Sequence, residues 1–183
     1  MATAVEQLAK NANWGALAKA TELKQRIFFV ICALIVYRLG THIPVPGIDP
    51  EAWASIFKSK GGGILDMFNM FSGGALQRMT IFALNIMPYI SASIIMQLLS
   101  GMSKRLSEMK KEGEVGRMRI NQYTRYLTVV LAAVQAYGMA VGLEASGAAL
   151  EPGMFFRIST VITIVGGTVF LMWLGEQITS RGV

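Results

Sequence analysis

Apolar residues in this chain come in long runs, not in alternation, and four runs approach the length of a membrane-spanning helix. Crossing the hydrocarbon core takes about 20 mostly apolar helical residues. The first run covers 23–43, and its core, 27–37, is unbroken by any charge. Lys24 and Arg26 flank its start, and Arg38 lies near its far end, where a long side chain can reach headgroups. Pro44 and Pro46 then forbid further regular helix. The second run covers 79–102, and its core, 81–99, carries Asn85, Pro88, Ser91, Ser93 and Gln97. Pro88 is expected to bend this helix, and its polar residues to face other helices or a water-filled cavity. The third run, 123–143, holds Gln135. The fourth, 154–174, has Arg157 near its start and Gly166-Gly167 for close helix approach.

A shorter apolar piece precedes the second run. Gly61-Gly62-Gly63 forms a flexible hinge, residues 64–71 follow, and Ser72-Gly73-Gly74 ends the piece. It is too short to cross a bilayer and reads as a core helix, a re-entrant segment or an interfacial segment. Ile64, Leu65, Phe68 and Phe71 recur at helical spacing and share one face. Asp66 and Asn69 fall off that face, toward water.

Composition strengthens the membrane reading. Of 183 residues, 53% are hydrophobic and 15% charged. A soluble domain carries about 25% charged residues. Mean hydropathy is +0.47. The expected fold is therefore an all-α membrane protein: a polytopic helical bundle of about four transmembrane helices plus a short re-entrant helix. Residues 1–22 read as a cytoplasmic amino-terminal segment and not as a cleavable signal peptide, because the first apolar run starts only at Ile27. Residues 103–122 read as a charged cytoplasmic loop. With the amino terminus inside, twelve of the 17 Lys and Arg residues are cytoplasmic and five are outside, as the positive-inside rule requires. Lys10, Lys19 and the 104–119 cluster belong to the inner group; Arg38, Lys58, Lys60, Arg78 and Arg157 belong to the outer.

Candidate chemistry is sparse. Cys32 is the only cysteine and His42 the only histidine, so neither a disulfide nor a histidine-based metal cluster is expected. No phosphate-binding glycine loop, zinc motif or nucleophile with a neighbouring base appears, so no enzyme, metal or cofactor is expected. The 103–122 segment reads either as a solvated loop that fixes topology or as a docking surface for an acidic or nucleic-acid partner. Glu108, Glu112 and Glu114 interrupt its positive run and weaken the second reading. Met67, Met70, Met79, Met87, Met96 and Met102 are apolar filler or an adaptable surface. Ile86 and Ile90 are four apart and share a helix face, which by periodicity alone suits lipid contact or packing.

Several strings are more specific. They are Pro44-Val45-Pro46-Gly47-Ile48-Asp49, then Met67-Phe68-Asn69-Met70-Phe71-Ser72-Gly73-Gly74-Ala75-Leu76, then Ile86-Met87-Pro88-Tyr89-Ile90-Ser91-Ala92-Ser93. Lys110-Lys111-Glu112-Gly113-Glu114, Gln122-Tyr123-Thr124-Arg125-Tyr126 and Trp173-Leu174-Gly175-Glu176-Gln177-Ile178-Thr179 follow in order. From about Leu23 onward the chain closely resembles the bacterial SecY family, the channel subunits of the general secretion translocon. The resemblance implies a protein-conducting channel that passes unfolded polypeptides and releases membrane segments sideways into lipid. It implies a bacterial inner-membrane location and partners in SecE, SecG, the SecA motor, the ribosome with its nascent chain, signal peptides and lipid.

Carried over by position, the resemblance makes Ile86 and Ile90 members of an apolar pore ring. It makes residues 61–76 a plug half-helix, with Ile64, Leu65, Met67, Phe68 and Phe71 as its apolar residues. It makes Met87, Ser91, Ile94 and Gln97 part of a lateral-gate wall, to which Gln135 contributes. The family chain continues into a fifth helix and a second half, so this sequence is expected to be an amino-terminal part that does not conduct protein alone. Two other classes fit the residues themselves. One is a four-helix membrane scaffold that binds partners. The other is half of a transporter that uses the broken helix near 61–74 as a substrate site. A substrate site calls for a coordinating polar cluster there, whereas a plug calls for the apolar face that the sequence carries.

Overall fold

The computed structural model describes residues 20–60 and 62–182. Lys10, Lys19, Gly61 and most of the expected 1–22 segment lie outside those residues. The described residues form seven helices: α1 (Thr21–Gly40), α2 (Pro50–Lys60), α3 (Ile64–Phe71), α4 (Met87–Met102), α5 (Lys104–Lys111), α6 (Glu114–Ser146) and α7 (Met154–Arg181). They contain no strand, only two isolated bridges, Pro44 with Thr80 and Ile48 with Ala149. Helices α6 and α7, with 33 and 28 residues, are long and apolar enough to cross a membrane.

The chain divides into two compact units. One takes residues through Val36 together with Leu174–Val183. In it Arg26 Nη1 donates to the Gly182 carbonyl at 3.3 Å, so the start of α1 lies by the end of α7. The other is Tyr37–Trp173. Its core joins Val45, Met79, Ala83, Ala136, Ala140, Leu143, Phe156 and Ile164.

Small residues organise this larger unit. Helix α6 buries Thr124, Thr128, Ala132, Ala136 and Ala140, every fourth residue along one stripe. Helix α4 buries Pro88, Ala92, Met96 and Ser100 at the same spacing and packs along α6. Rows of residues four apart form ridges, and short side chains let two backbones approach. Gly167 of α7 is used in this way, because a Cβ there would overlap the Ile81 carbonyl. Gly166 beside it is exposed and meets nothing, so only one of the paired glycines serves close approach.

Three elements differ from the sequence expectation. The run at 79–102 is not one helix. Residues 72–86 form successive turns, and helix begins only at Met87. At about 1.5 Å per residue, the 16 residues of α4 extend about 24 Å, short of the ~30 Å hydrocarbon core. Left-handed backbone at Met79 (φ 47°) and Asn85 (φ 52°) interrupts the run. The main chain there pairs elsewhere instead: Val45 N–H donates to Met79 O at 3.0 Å, and Ile81 N–H to Ile43 O at 3.1 Å. Pro88 accordingly sits in the first turn of α4, where its missing N–H costs nothing, and bends no helix. The 103–122 segment is helical too, as α5 and the first turns of α6, separated at Gly113 with φ 80°. Helix α2 went unforeseen although its signals are present. Asp49 Oδ1 accepts from the N–H of Glu51 at 3.0 Å, and Pro50 occupies the first helical position.

Candidate functional site

The apolar residues singled out by sequence gather around α3 and the turns that follow it. Helix α3 buries none of its side chains: Met70 is 81% and Phe71 75% exposed. Its position is set at one end by hydrogen bonds. Tyr37 Oη donates to Ser72 O at 3.1 Å, and Arg38 Nη1 to Gly73 O at 3.2 Å. Asn85 Nδ2 reaches Phe71 O at 3.5 Å. Asn69 does not point freely to water as its helical position suggests. Its Oδ1 accepts the Gln77 N–H at 3.0 Å, and its Nδ2 donates to Gln77 Oε1 at 3.3 Å. The other end differs: Gly62 (φ 144°) and Gly63 (φ 82°) have nothing within 4 Å of where a side chain would stand.

Two apolar concavities flank α3. One, of about 260 Å³, is lined by Phe68 and Phe71 of α3, Met87 of α4, Gln135 and Met139 of α6, and Ser72, Leu76, Ala83, Leu84 and Asn85 between them. No charged residue lines it. The other, of about 310 Å³, places Leu65 of α3 against Trp53, Ile56, Phe57 and Lys60 of α2, together with the end of α6. The structure thus brings Phe68, Phe71, Met87 and Gln135 to one wall and sends Leu65 to another. Ile64 and Met67 line neither.

Helix α4 presents the remaining candidates. Ile86, Ile90 and Ile94 lie on the face opposite Pro88, Ala92 and Met96, and are exposed while that row is buried. Ile86 is the residue just before the helix, and its carbonyl receives the Ile90 N–H at 3.0 Å. Ser91 is half-buried and Gln97 exposed. The methionines divide between the two earlier readings, with Met79 and Met96 buried and Met67, Met70 and Met102 exposed.

Sequence reasoning named Arg38 and Asn85 but missed the bonds by which they, Tyr37 and Gln77 hold α3. Trp53 belongs with them, since its Nε1 donates to Leu76 O at 3.1 Å. No spacing rule marks them, because each bonds a main-chain carbonyl or an amide distant in sequence. Asn85 alone carries a hint, being a residue type that tolerates left-handed backbone.

Helices α4 and α6 packed along buried stripes, two helices long and apolar enough to cross a membrane, and an uncharged concavity beside a glycine-bounded short helix fit a helical membrane protein. Residues 80–183 match the model of the SecY family. Protein translocase subunit SecY of Pseudomonas aeruginosa is 57% identical over 178 residues, covering 96% of this chain and 40% of that protein. The subunit of the same name from Escherichia coli K12 is 57% identical over 166 residues, covering 88% and 38%. A solved structure, Sec61 in the canine ribosome–channel complex from the endoplasmic reticulum, shares the fold with a TM-score of 0.59 at 19% identity. That match covers 88% of this chain and 34% of the Sec61 chain. The chain belongs to the SecY family, and it spans about 40% of the length of the curated relatives it matches.

Proposed function

We propose that this chain forms the amino-terminal part of a protein-conducting channel in the bacterial inner membrane, with about four spans and a cytoplasmic amino terminus. In this reading Ile86 and Ile90 belong to an apolar ring, which excludes ions by dewetting and makes no specific contact with the passing chain. Helix α3 is the plug, through Ile64, Leu65, Met67, Phe68 and Phe71. Met87, Ser91, Ile94 and Gln97 of α4, with Gln135 of α6, form one wall of a lateral gate. The cargo is unfolded polypeptide, and the partners are SecE, SecG, the SecA motor, the ribosome with its nascent chain, signal peptides and lipid.

The observation that carries this reading is the shared concavity. Phe68 and Phe71 of the short helix line the same uncharged wall as Met87 and Gln135. An arriving apolar helix that takes the surface of Met87 competes with those two rings. Entry of a signal segment and departure of the plug then become one event, driven by exchange of apolar contacts. A photocrosslinker placed at Met87 or Ser91 in the complete channel should capture an arrested signal segment. Capture confined to α7 would remove α4 from the gate. Orientation has its own check: with Cys32 replaced by Ser, a cysteine at Ser107 should be shielded from an impermeant reagent in intact cells and one at Ser146 labelled.

A further inference from the structure

The two ends of α3 are held differently, and the difference places a lock. Gly62 and Gly63 have empty surroundings. At the other end the turn is pinned from α1 by Tyr37 on the Ser72 carbonyl and Arg38 on the Gly73 carbonyl. Gly73 (φ 63°) and Gly74 (φ 85°) follow at once, both in left-handed backbone that glycine adopts without strain. The Asn69 and Gln77 side chains reach across these two glycines and meet. Asn69 accepts the Gln77 N–H at 3.0 Å and donates to Gln77 Oε1 at 3.3 Å. The Asn69 carbonyl also receives the Gly74 N–H at 2.9 Å. A rotation about Gly73 or Gly74 that carries α3 outward must part residue 69 from residue 77.

We propose that Asn69 and Gln77 are the latch of the α3 hinge: an amide clasp that holds the short helix closed and must open for it to leave. The inference rests on the plug reading above and adds the residues that set its resting position. Tyr37 and Arg38 fix the axle, the two glycines supply the rotation, and the clasp sets the threshold. Such a lock is weak by design, because both amides are open to water, which replaces the lost bonds when the clasp parts. It therefore releases under the modest force of apolar competition at Phe68 and Phe71.

The test uses the complete channel carrying this segment, with Cys32 replaced by Ser. Asn69→Ala should raise passage of a substrate with a defective signal by roughly fivefold to tenfold, the effect of losing two solvent-exposed hydrogen bonds. Asn69→Asp with Gln77→Lys should restore the resting level through an ion pair, which a merely structural role for Asn69 would not predict. Asn69→Asp with Gln77→Glu should weaken the latch, since the two carboxylates repel and only the bond from the residue 77 N–H remains. Two crosslinks then separate the latch from the plug. A disulfide between cysteines at 69 and 77 and a flexible thiol crosslinker between cysteines at 68 and 87 should each block translocation until cleaved. Free passage with 69 bonded to 77, but a block with 68 joined to 87, overturns the latch and leaves the plug standing. Free passage with both overturns the plug reading itself and the latch with it.

Discussion

Helix α6 and the segment from α3 to Asn85 are neighbours built on opposite principles. Helix α6 is regular over 33 residues and is held by side chains that are hardly there: two threonines and three alanines at every fourth position, all buried. The α3 segment is rich in large apolar residues, yet α3 buries none of its own. Packing fixes the first, since close backbones gain contacts along a whole stripe. Hydrogen bonds at the last turn fix the second, through Tyr37, Arg38 and Asn69. In a membrane protein, size and greasiness therefore do not identify the structural core. The surface of close helix contact is lined with small residues, and the short helix keeps its large ones exposed.

The turns after α3 are anchored by buried Met79, Thr80 and Phe82, and removing the largest of these side chains should produce the largest loss. Phe82 is 2% exposed and stacks on Tyr37 with ring centres 5.7 Å apart and on Phe170 at 6.1 Å. Gly40 leaves room for its ring, because a Cβ there would overlap it. Phe82→Ala should cost about 3–5 kcal/mol, as deletion of a buried aromatic ring does. Denaturant unfolding of the purified protein in detergent would measure it. A cost near that of a surface change would mean that Met79 and the hydrogen bonds hold the turns without the Phe82 ring.

An intermediate effect is expected on the α6 stripe. Ala136 is fully buried in the core shared with Val45, Met79 and Ile164. Ala136→Leu should destabilise by about 1–3 kcal/mol through overpacking, although leucine is the better residue in lipid. The same denaturant measurement reads it. If Ala136→Leu is tolerated, the stripe is not a close contact and the contrast with α3 dissolves.

The parts that were legible in sequence follow the same division. Helices α6 and α7 were readable because their apolar runs meet no competing pairing. The 79–102 run misled because tertiary pairing overrode it: Ile43 O and Val45 N–H take up main-chain groups that a helix at 79–86 would have used. Charge hid α5 and the first turns of α6, since Lys and Glu are good helix formers that read as loop beside apolar neighbours. The apolar candidates Phe68 and Phe71, taken from spacing, and Met87, taken from resemblance, line one concavity. The clasp of Asn69 with Gln77 was not legible, because a bond eight residues apart across two glycines leaves no periodic trace.

The smallest stability effect is expected on α4, and it carries the sharpest functional contrast because one helix holds both kinds of surface. Ala92 is fully buried on the row facing α6, whereas Ile90, two residues earlier, is 41% exposed on the opposite face. Ile90→Ala removes atoms that already lie partly free of packing and replaces isoleucine with the best helix former, so the two changes oppose each other. Unfolding should shift by no more than about 0.5 kcal/mol, the range of changes away from packed sites. Ion conductance should change all the same. In the proposed ring, trimming Ile90 to a methyl group would widen the constriction and admit water. Vesicles holding the complete channel with Ile90→Ala should therefore leak ions at rest while the protein keeps its denaturation midpoint. Ala92→Ile should do the reverse, lowering the midpoint by overpacking against α6 without direct access to the ring. If the two substitutions lose stability equally and neither leaks, α4 has no functional face, and Ile90 is lipid-facing or packing surface and nothing more.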